Sequence, residues 1–301
     1  MRANVRVAAV MAAYNRRDLT LACLRSLRAQ AEAEEVKAEG VTLDVYVLDD
    51  ASSDGTGAAI AAEFPAATVL PGNGALYWNG GMRAAFGAAI GRDYDYYLWM
   101  NDDTVLDDGA LALLLATERQ LRGRQRGRPV IVAGSTRHPD TGELTYGGAV
   151  RRQRWRPLHW ELVEPDAEPR QVETMNGNAV LIPRAVVRRI GNLDAAYVQQ
   201  MGDYDYGLRA RSTGCEVWIA PGTVGTCASH PDRRTDQQPL PAELQRLWST
   251  KELPLRPRAV FARRWGGGLW PLYWLSPYLR RGGRLLLERL HPRPRRMAPG
   301  R

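Results

Sequence analysis

The sequence predicts an α/β protein, with a mostly parallel central sheet flanked by helices. Two features carry that prediction. Over the first 135 residues, short β-branched runs alternate with alanine- and leucine-rich stretches of helical length, the pattern of βαβ units. Polar clusters also fall at the ends of those runs, where open α/β sheets bind ligands. Composition agrees: 301 residues at 45% hydrophobic and 25% charged can bury a large core and are not disordered overall. The boundaries read as a body over 1–240, divided near residue 135, and an extension over 241–301.

Val5–Met11 is the first strand, followed by a helix over Leu19–Gln30 with Asp18 as its N-cap. Leu43–Leu48 forms the second strand. Ser52-Ser53-Asp54-Gly55 leads into a helix containing Thr56–Glu63, and Ala67–Leu70 is a short third strand. After the turn Pro71-Gly72-Asn73-Gly74 comes a helix from about Gly80 to Ile90. Tyr96–Met100 is the fourth strand, Gly109–Gln120 a helix and Val130–Ala133 a fifth strand. Thr136 to Glu173 carries the turn signals Thr141-Gly142 and Gly147-Gly148, which predict hairpins and an exposed loop. Asn178–Ile182 resumes regular structure, before helices over Arg184–Ile190 and Asp203–Arg211 and a strand over Glu216–Ala220.

Charge is unevenly placed. The whole chain carries +8, but Lys251 to Arg301 alone carries +11, so residues 1–250 are at −3. An acidic body without a recognised module argues against nucleic-acid binding. Three cysteines (Cys23, Cys215, Cys227) with no CxxC imply neither a disulfide framework nor a zinc site. No apolar run reaches 18 residues, so no transmembrane helix is expected. Met1 to Ala12 leads straight into Tyr14-Asn15-Arg16 and reads as a core strand, not a signal peptide. A cytoplasmic protein is expected.

Chemistry concentrates at the strand ends. The first strand ends in Ala13-Tyr14-Asn15-Arg16, the second in Asp49-Asp50-Ala51-Ser52, and the fourth in Asn101-Asp102-Asp103-Thr104. Taken singly, such aspartates also serve as turn formers and helix caps. Three clusters at equivalent ends must converge on one sheet edge, where facing carboxylates repel unless a cation neutralises them. Oxygen ligands without cysteine or dense histidine suit Mg²⁺ or Mn²⁺. The first turn lacks GxGxxG and no GxxxxGK[ST] is present, which argues against dinucleotide-dependent oxidoreductases and P-loop hydrolases. Trp78-Asn79-Gly80-Gly81 opens a helix, where glycines admit a ligand to the backbone and free N–H groups meet an anion or sugar hydroxyls.

The ordered motifs AAYNRRD, LDDASSDGT, GNGALYWNGGMRAAFGAA, YYLWMNDDT and MGDYDYGLRA resemble those of family 2 glycosyltransferases of the GT-A fold, in particular bacterial rhamnosyltransferase-like members. The resemblance spans about residues 5 to 230. It implies a nucleotide-sugar-binding half over 1–135 and an acceptor and catalytic-base half over 136–240. A nucleotide-diphosphate sugar would lie at the strand ends with a divalent cation, Mg²⁺ or Mn²⁺. Ala13, Tyr14, Asn15 and Arg16 would line the nucleotide, and Asp50, or less readily Asp49, would hydrogen-bond the base. Trp78, Asn79, Gly80, Gly81 and Arg83 would face the donor. Asn101-Asp102-Asp103 occupies the DXD position with Asn101 in place of its first Asp. Asp103 would bind the metal, with Asp102 and His230 as further candidates, although His230 reads better as a surface loop histidine. Asn176, Gly177 and Asn178 would lie on the acceptor side, and Asp205 with them, although Asp205 reads first as a structural carboxylate facing Arg209 four residues on.

Asp203 matches the family's general base, at a helix N-terminus that favours its anion. The resemblance therefore implies inverting transfer of a sugar, from dTDP-rhamnose or a UDP-sugar, to a hydroxyl of a glycan or lipid-linked acceptor in cell-envelope or surface polysaccharide synthesis. A sugar nucleotidylyltransferase is the enzyme alternative, but Ala12 to Asp18 lacks its Gly-rich basic loop. A non-catalytic nucleotide-sugar-binding protein is the other alternative. In the extension, WGGGLWPLYWLSPYL (Trp265–Leu279) is uncharged and flanked by Arg263-Arg264 and Arg280-Arg281. Two readings stand side by side: peripheral contact with the inner face of a membrane through 263–290, and packing of Trp270 and Trp274 on the body.

Overall fold

The computed structural model describes residues 4–124, 127–153, 155–228 and 254–290, with side chains to Gly283 in the last helix. In chain order the body is β1 (Val5–Ala13), α1 (Arg17–Glu32), α2 (Glu34–Ala38), β2 (Val41–Asp49), α3 (Thr56–Glu63), β3 (Thr68–Pro71), α4 (Tyr77–Ile90), β4 (Tyr96–Trp99), β5 (Val105–Leu106), α5 (Ala110–Arg124) and β6 (Val130–Ala133). There follow β7 (Thr136–Arg137), β8 (Leu144–Tyr146), β9 (Gly148–Arg151), β10 (Trp160–Leu162), β11 (Arg170–Val172), β12 (Thr174–Met175), β13 (Val180–Pro183), α6 (Arg184–Ile190), α7 (Gly202–Ser212), β14 (Glu216–Ile219) and β15 (Gly225–Thr226). The extension adds α8 (Leu255–Trp265), a 3₁₀ turn and α9 (Trp270–Leu290).

The main sheet runs β11-β14-β6-β13-β4-β1-β2-β3. β1, β2, β3 and β4 are mutually parallel, as the βαβ spacing requires, while β13 runs antiparallel to β4 and β6. Both faces are covered, which explains why β1 reads as an unbroken apolar run. Val7, Ala9 and Met11 point into a core with Leu24 and Leu27 of α1 and Leu111 and Leu114 of α5. Ala8 and Val10 point the other way, onto Met82 and Phe86 of α4 and Tyr206 of α7. Alanines on β1 let helices approach closely: a Cβ added to Gly81 of α4 would lie 2.7 Å from the Cβ of Ala12.

β7–β8 and β9–β10 are antiparallel hairpins within the stretch where turn signals predict them. The first helix begins earlier than its expected Asp18 cap. No side chain of its own caps it, and the Asp54 carboxylate accepts the Arg17 N–H at 3.0 Å from the neighbouring loop. Such a cap comes from tertiary structure and leaves no local sequence signal. Among the described residues no helix is long and apolar enough to cross a membrane.

Candidate active site

Strand order reverses at β1, between β2 and β4, so the loops after these three strands border one crevice. Their side chains join across it. Asn15 donates its backbone N–H to Ser52 Oγ at 2.9 Å and accepts the Ser53 N–H on Oδ1 at 2.7 Å. Arg16 Nη1 donates to Asp102 at 3.2 Å and to Asp103 at 2.9 Å. Asn15, Ala51, Tyr77, Ala179 and Met201 all hold positive φ. Left-handed non-glycine backbone gathers around this crevice, as it does at functional sites held by their surroundings.

Ala13, Tyr14, Arg16, Asp50, Tyr77, Trp78, Asp102 and Gln199 line a first cleft of about 300 Å³. Tyr14 and Tyr77 are 53% and 37% exposed, so aromatic faces stand open there to a flat ligand. A second cleft of about 640 Å³ shares Trp78 and Gln199 with the first, and Asn101, Asn176, Gly177 and Asp203 line it. Trp78 forms the partition: its Nε1–H donates to Asn101 Oδ1 at 2.9 Å, and Gln199 Oε1 accepts its backbone N–H at 3.0 Å. Gly177 is required beside it, because a Cβ there would run into the indole ring of Trp78.

Asp203 accepts the Gly177 N–H at 3.0 Å and the Tyr204 N–H at 2.8 Å. Desolvation by burial pushes its carboxyl up to about 6, and these two backbone donors oppose the rise. The backbone donors at the start of α7 favour the anion, as expected, but burial outweighs them. Trp160, Tyr204, Phe261, Tyr273 and Trp274 line the same cleft. Sequence reasoning did not assign Tyr77, Gln199, Tyr146, Trp160 or Arg258 to the site. Two signals were available, Tyr77 beside Trp78 and Gln199 just before Met-Gly-Asp, but the other three join only through the tertiary fold.

Several expected ligand residues have other employment. Asp50 is buried and accepts four backbone N–H bonds, from Asn73, Gly74, Leu76 and Tyr77, at 2.8 to 3.2 Å. Four bonds fill a carboxylate, so Asp50 shapes the 73–77 loop. Asp49 Oδ1 takes the Ser52 N–H at 3.1 Å. Asn79, expected at the donor, is fully buried and donates to the carbonyls of Asp194 and Tyr197 at 3.1 and 2.8 Å. Arg83 is exposed on α4 and lines neither cleft, and Gly80 lies against Leu76. Gly81 is a packing glycine under α4.

Asn178, expected on the acceptor side, is fully buried; its Oδ1 takes the Asn101 N–H and the Thr104 hydroxyl, bracing the 101–104 turn. Asp205 is also fully buried, bonded to Tyr197, Arg209, Arg264 and Trp265. It fixes α7 and does not line the cleft. His230 lies outside the described residues.

A divalent cation was expected at Asp103. Among the described residues no group of three or more acidic, His or Cys side chains could hold a metal. Asp102 and Asp103 are nevertheless adjacent, 7% and 6% exposed at their side chains, and share one guanidinium. Burial pushes Asp102 up to about 7 against the pull of Arg16, with the Asp103 charge adding to the rise. A carboxylate pair so desolvated suits a cation completed by ligand oxygens, and the all-oxygen donor set suits Mg²⁺ or Mn²⁺.

A mixed sheet with polar turns after the parallel strands β1, β2 and β4, those after β2 and β4 acidic, beside a second cleft carrying an aspartate, has the architecture of a glycosyltransferase of the GT-A class. The family model described as Glycosyl transferase family 2 matches residues 8–191. The chain belongs to that family. No curated protein sequence matches it significantly. Among solved structures it is similar to the mannosyltransferase PcManGT from Pyrobaculum calidifontis in complex with GDP-Man and Mn²⁺, at 16% identity and TM-score 0.51, over 92% of this chain and 70% of that one. It is also similar to GalNAc-T7 with UDP, GalNAc and Mn²⁺, at 12% identity and TM-score 0.57, over 88% of this chain and 51% of that one. S. aureus TarS 1-349 is 10% identical with TM-score 0.51, over 74% of this chain and 60% of that one. The chain thus spans 51% to 70% of these proteins' length.

Proposed function

We propose that the chain transfers a sugar from a nucleotide-diphosphate sugar, dTDP-rhamnose or a UDP-sugar, to a hydroxyl of a glycan or lipid-linked acceptor in cell-envelope polysaccharide synthesis, with inversion. One observation carries this reading: the carboxylate of Asp203 stands in the larger cleft, across the Trp78 partition from the Arg16–Asp102–Asp103 cluster. The nucleoside would lie on Tyr14 and Tyr77, and its diphosphate would point towards the cluster. Asp203 would take the proton of the acceptor hydroxyl as that oxygen attacks the anomeric carbon, opposite the departing diphosphate. A single displacement of this kind inverts the configuration and leaves no covalent enzyme intermediate. Asp103, with Asp102, would hold the divalent cation, which when bound neutralises charge on the diphosphate.

Two of the three neighbours were solved with a nucleotide or nucleotide sugar and Mn²⁺, which supports a metal-assisted donor site here. Peripheral seating on the inner face of a membrane belongs to the same proposal. Leu269, Leu272, Leu275 and Leu279 are 41% to 64% exposed, next to exposed Arg280 and Arg281, a face that suits anionic lipid. Thermal-shift measurements against dTDP, UDP, GDP and CDP, each with and without Mn²⁺ or Mg²⁺, test the donor site. A metal-dependent rise with one nucleotide is expected; no rise with any of them would count against it.

A further inference from the structure

The cleft holding Asp203 continues past α8. Leu158, Arg258 and Tyr273 line both it and an adjoining cavity of about 430 Å³. Among the described residues, four basic side chains border that cavity, Arg156, His159, Arg258 and Arg280, and no Asp or Glu does. Arginines elsewhere on the protein find carboxylates: Arg119 pairs with Glu39, Arg151 with Glu173, and Arg264 with Asp205. Around this cavity they do not, among the described residues. Arg156 lies over the Trp155 ring, its Cζ 4.4 Å from the centroid, and Arg280 bonds to Ser276. The Nε of Arg258 is buried without an acceptor. Burial lowers Arg258 from its ordinary value although the Tyr278 hydroxyl opposes the fall.

Solvated surface arginines would explain Arg156 and Arg280 singly. They do not explain a buried guanidinium donor aimed at no acceptor, nor three guanidinium groups around one cavity beside the catalytic cleft. Guanidinium groups bind phosphate oxygens in bidentate fashion, and several of them can share one multivalent anion. Resting on the glycosyltransferase reading, we infer that this cavity is an anion subsite for the acceptor. It holds a phosphate or diphosphate ester while the acceptor's hydroxyl lies against Asp203 next door. Two sources of that chemistry differ at Leu272, which lines the cavity and is 61% exposed. A lipid-linked diphosphate would use this apolar edge; a soluble sugar phosphate would not.

Tryptophan-fluorescence titration of the full chain with inorganic pyrophosphate, farnesyl diphosphate and farnesol tests the inference. The variants are Arg156→Gln, Arg258→Gln and Arg280→Gln, with Arg16→Gln as the donor-site control. Both diphosphates should bind, weakening roughly tenfold or more for each cavity arginine removed, with little change in Arg16→Gln. Tighter binding of farnesyl diphosphate than of pyrophosphate would identify a lipid-linked source, and equal binding a soluble one. Three results would overturn the subsite: unchanged affinity in the exposed Arg156→Gln and Arg280→Gln variants, loss confined to Arg16→Gln, or farnesol binding as well as its diphosphate. The nucleotide-induced thermal shift should survive all three cavity substitutions. Its absence from the unsubstituted protein would strike the donor reading and leave the cavity measurement standing.

Discussion

At the residue scale, Asp203 is the base in the proposed reaction, and its environment fixes when it can act. With its carboxyl near 6, it is mostly ionised at neutral pH yet more basic than an exposed aspartate. Transfer rate should therefore fall about tenfold per pH unit below about 6, measured as kcat/KM from pH 5 to 8. Its effect on stability has the opposite sign. The folded-state value lies above the ordinary 3.8, so the native state binds the extra proton, and this group's contribution to stability rises as pH falls from above 6 towards 4. Acid should silence the enzyme while this carboxylate's contribution to the fold increases. Asp203→Asn should lose about 10²–10⁴ in rate with an unchanged or raised Tm; near wild-type turnover would remove Asp203 from the base role. Asp203 stood out in the sequence because a motif surrounds it. The burial of its carboxyl did not, because the cleft it lines also takes Trp160, Tyr273 and Trp274 from distant segments.

At the element scale, the sheet and helices were legible because each strand's apolar run must be covered on both faces. What local pattern did not show was how loops brace one another. Asp50 looked like a base-binding carboxylate at a strand end. In the fold its oxygens collect four backbone N–H bonds that hold the 73–77 loop and set the start of α4. The same blindness applies to Asn79 and Asn178, whose polarity suggested ligands but whose partners are buried backbone and side chains, whereas Asp205 pairs with Arg209 as their spacing of four suggested. Asp50→Ala should therefore destabilise by about 2–4 kcal/mol, since several buried N–H donors lose their acceptor together, read as a lower urea midpoint at constant m. Tyr77 shares that loop, so nucleotide affinity should weaken in the same variant. A midpoint unchanged from the unsubstituted protein would show that the loop holds itself.

At the scale of the whole molecule, the C-terminal extension belongs to the site. Its sequence allowed either membrane contact or packing on the body, because aromatic residues beside arginines suit both. The structure shows α8 packing on the body through Phe261, against Tyr197 and Leu208, and not through the expected Trp270 and Trp274, while α9 leaves Leu272, Leu275 and Leu279 exposed. Arg264 and Trp265 close on Asp205, only two residues from the proposed base Asp203, so the extension grips the helix that carries both. Arg264 also reaches Asp194 at 2.9 Å, in the loop that Asn79 pins beneath the Trp78 partition. Arg264→Met should cost about 1–2 kcal/mol, less than removal of a fully buried partner, because Arg264 is about a third exposed and Arg209 still faces Asp205. The larger effect should fall on acceptor use: a raised acceptor KM and lowered kcat, with the nucleotide-induced thermal shift intact. If donor binding fell equally, the extension would be a general stabiliser of the body. A split between the two would show that it builds the acceptor half of the enzyme.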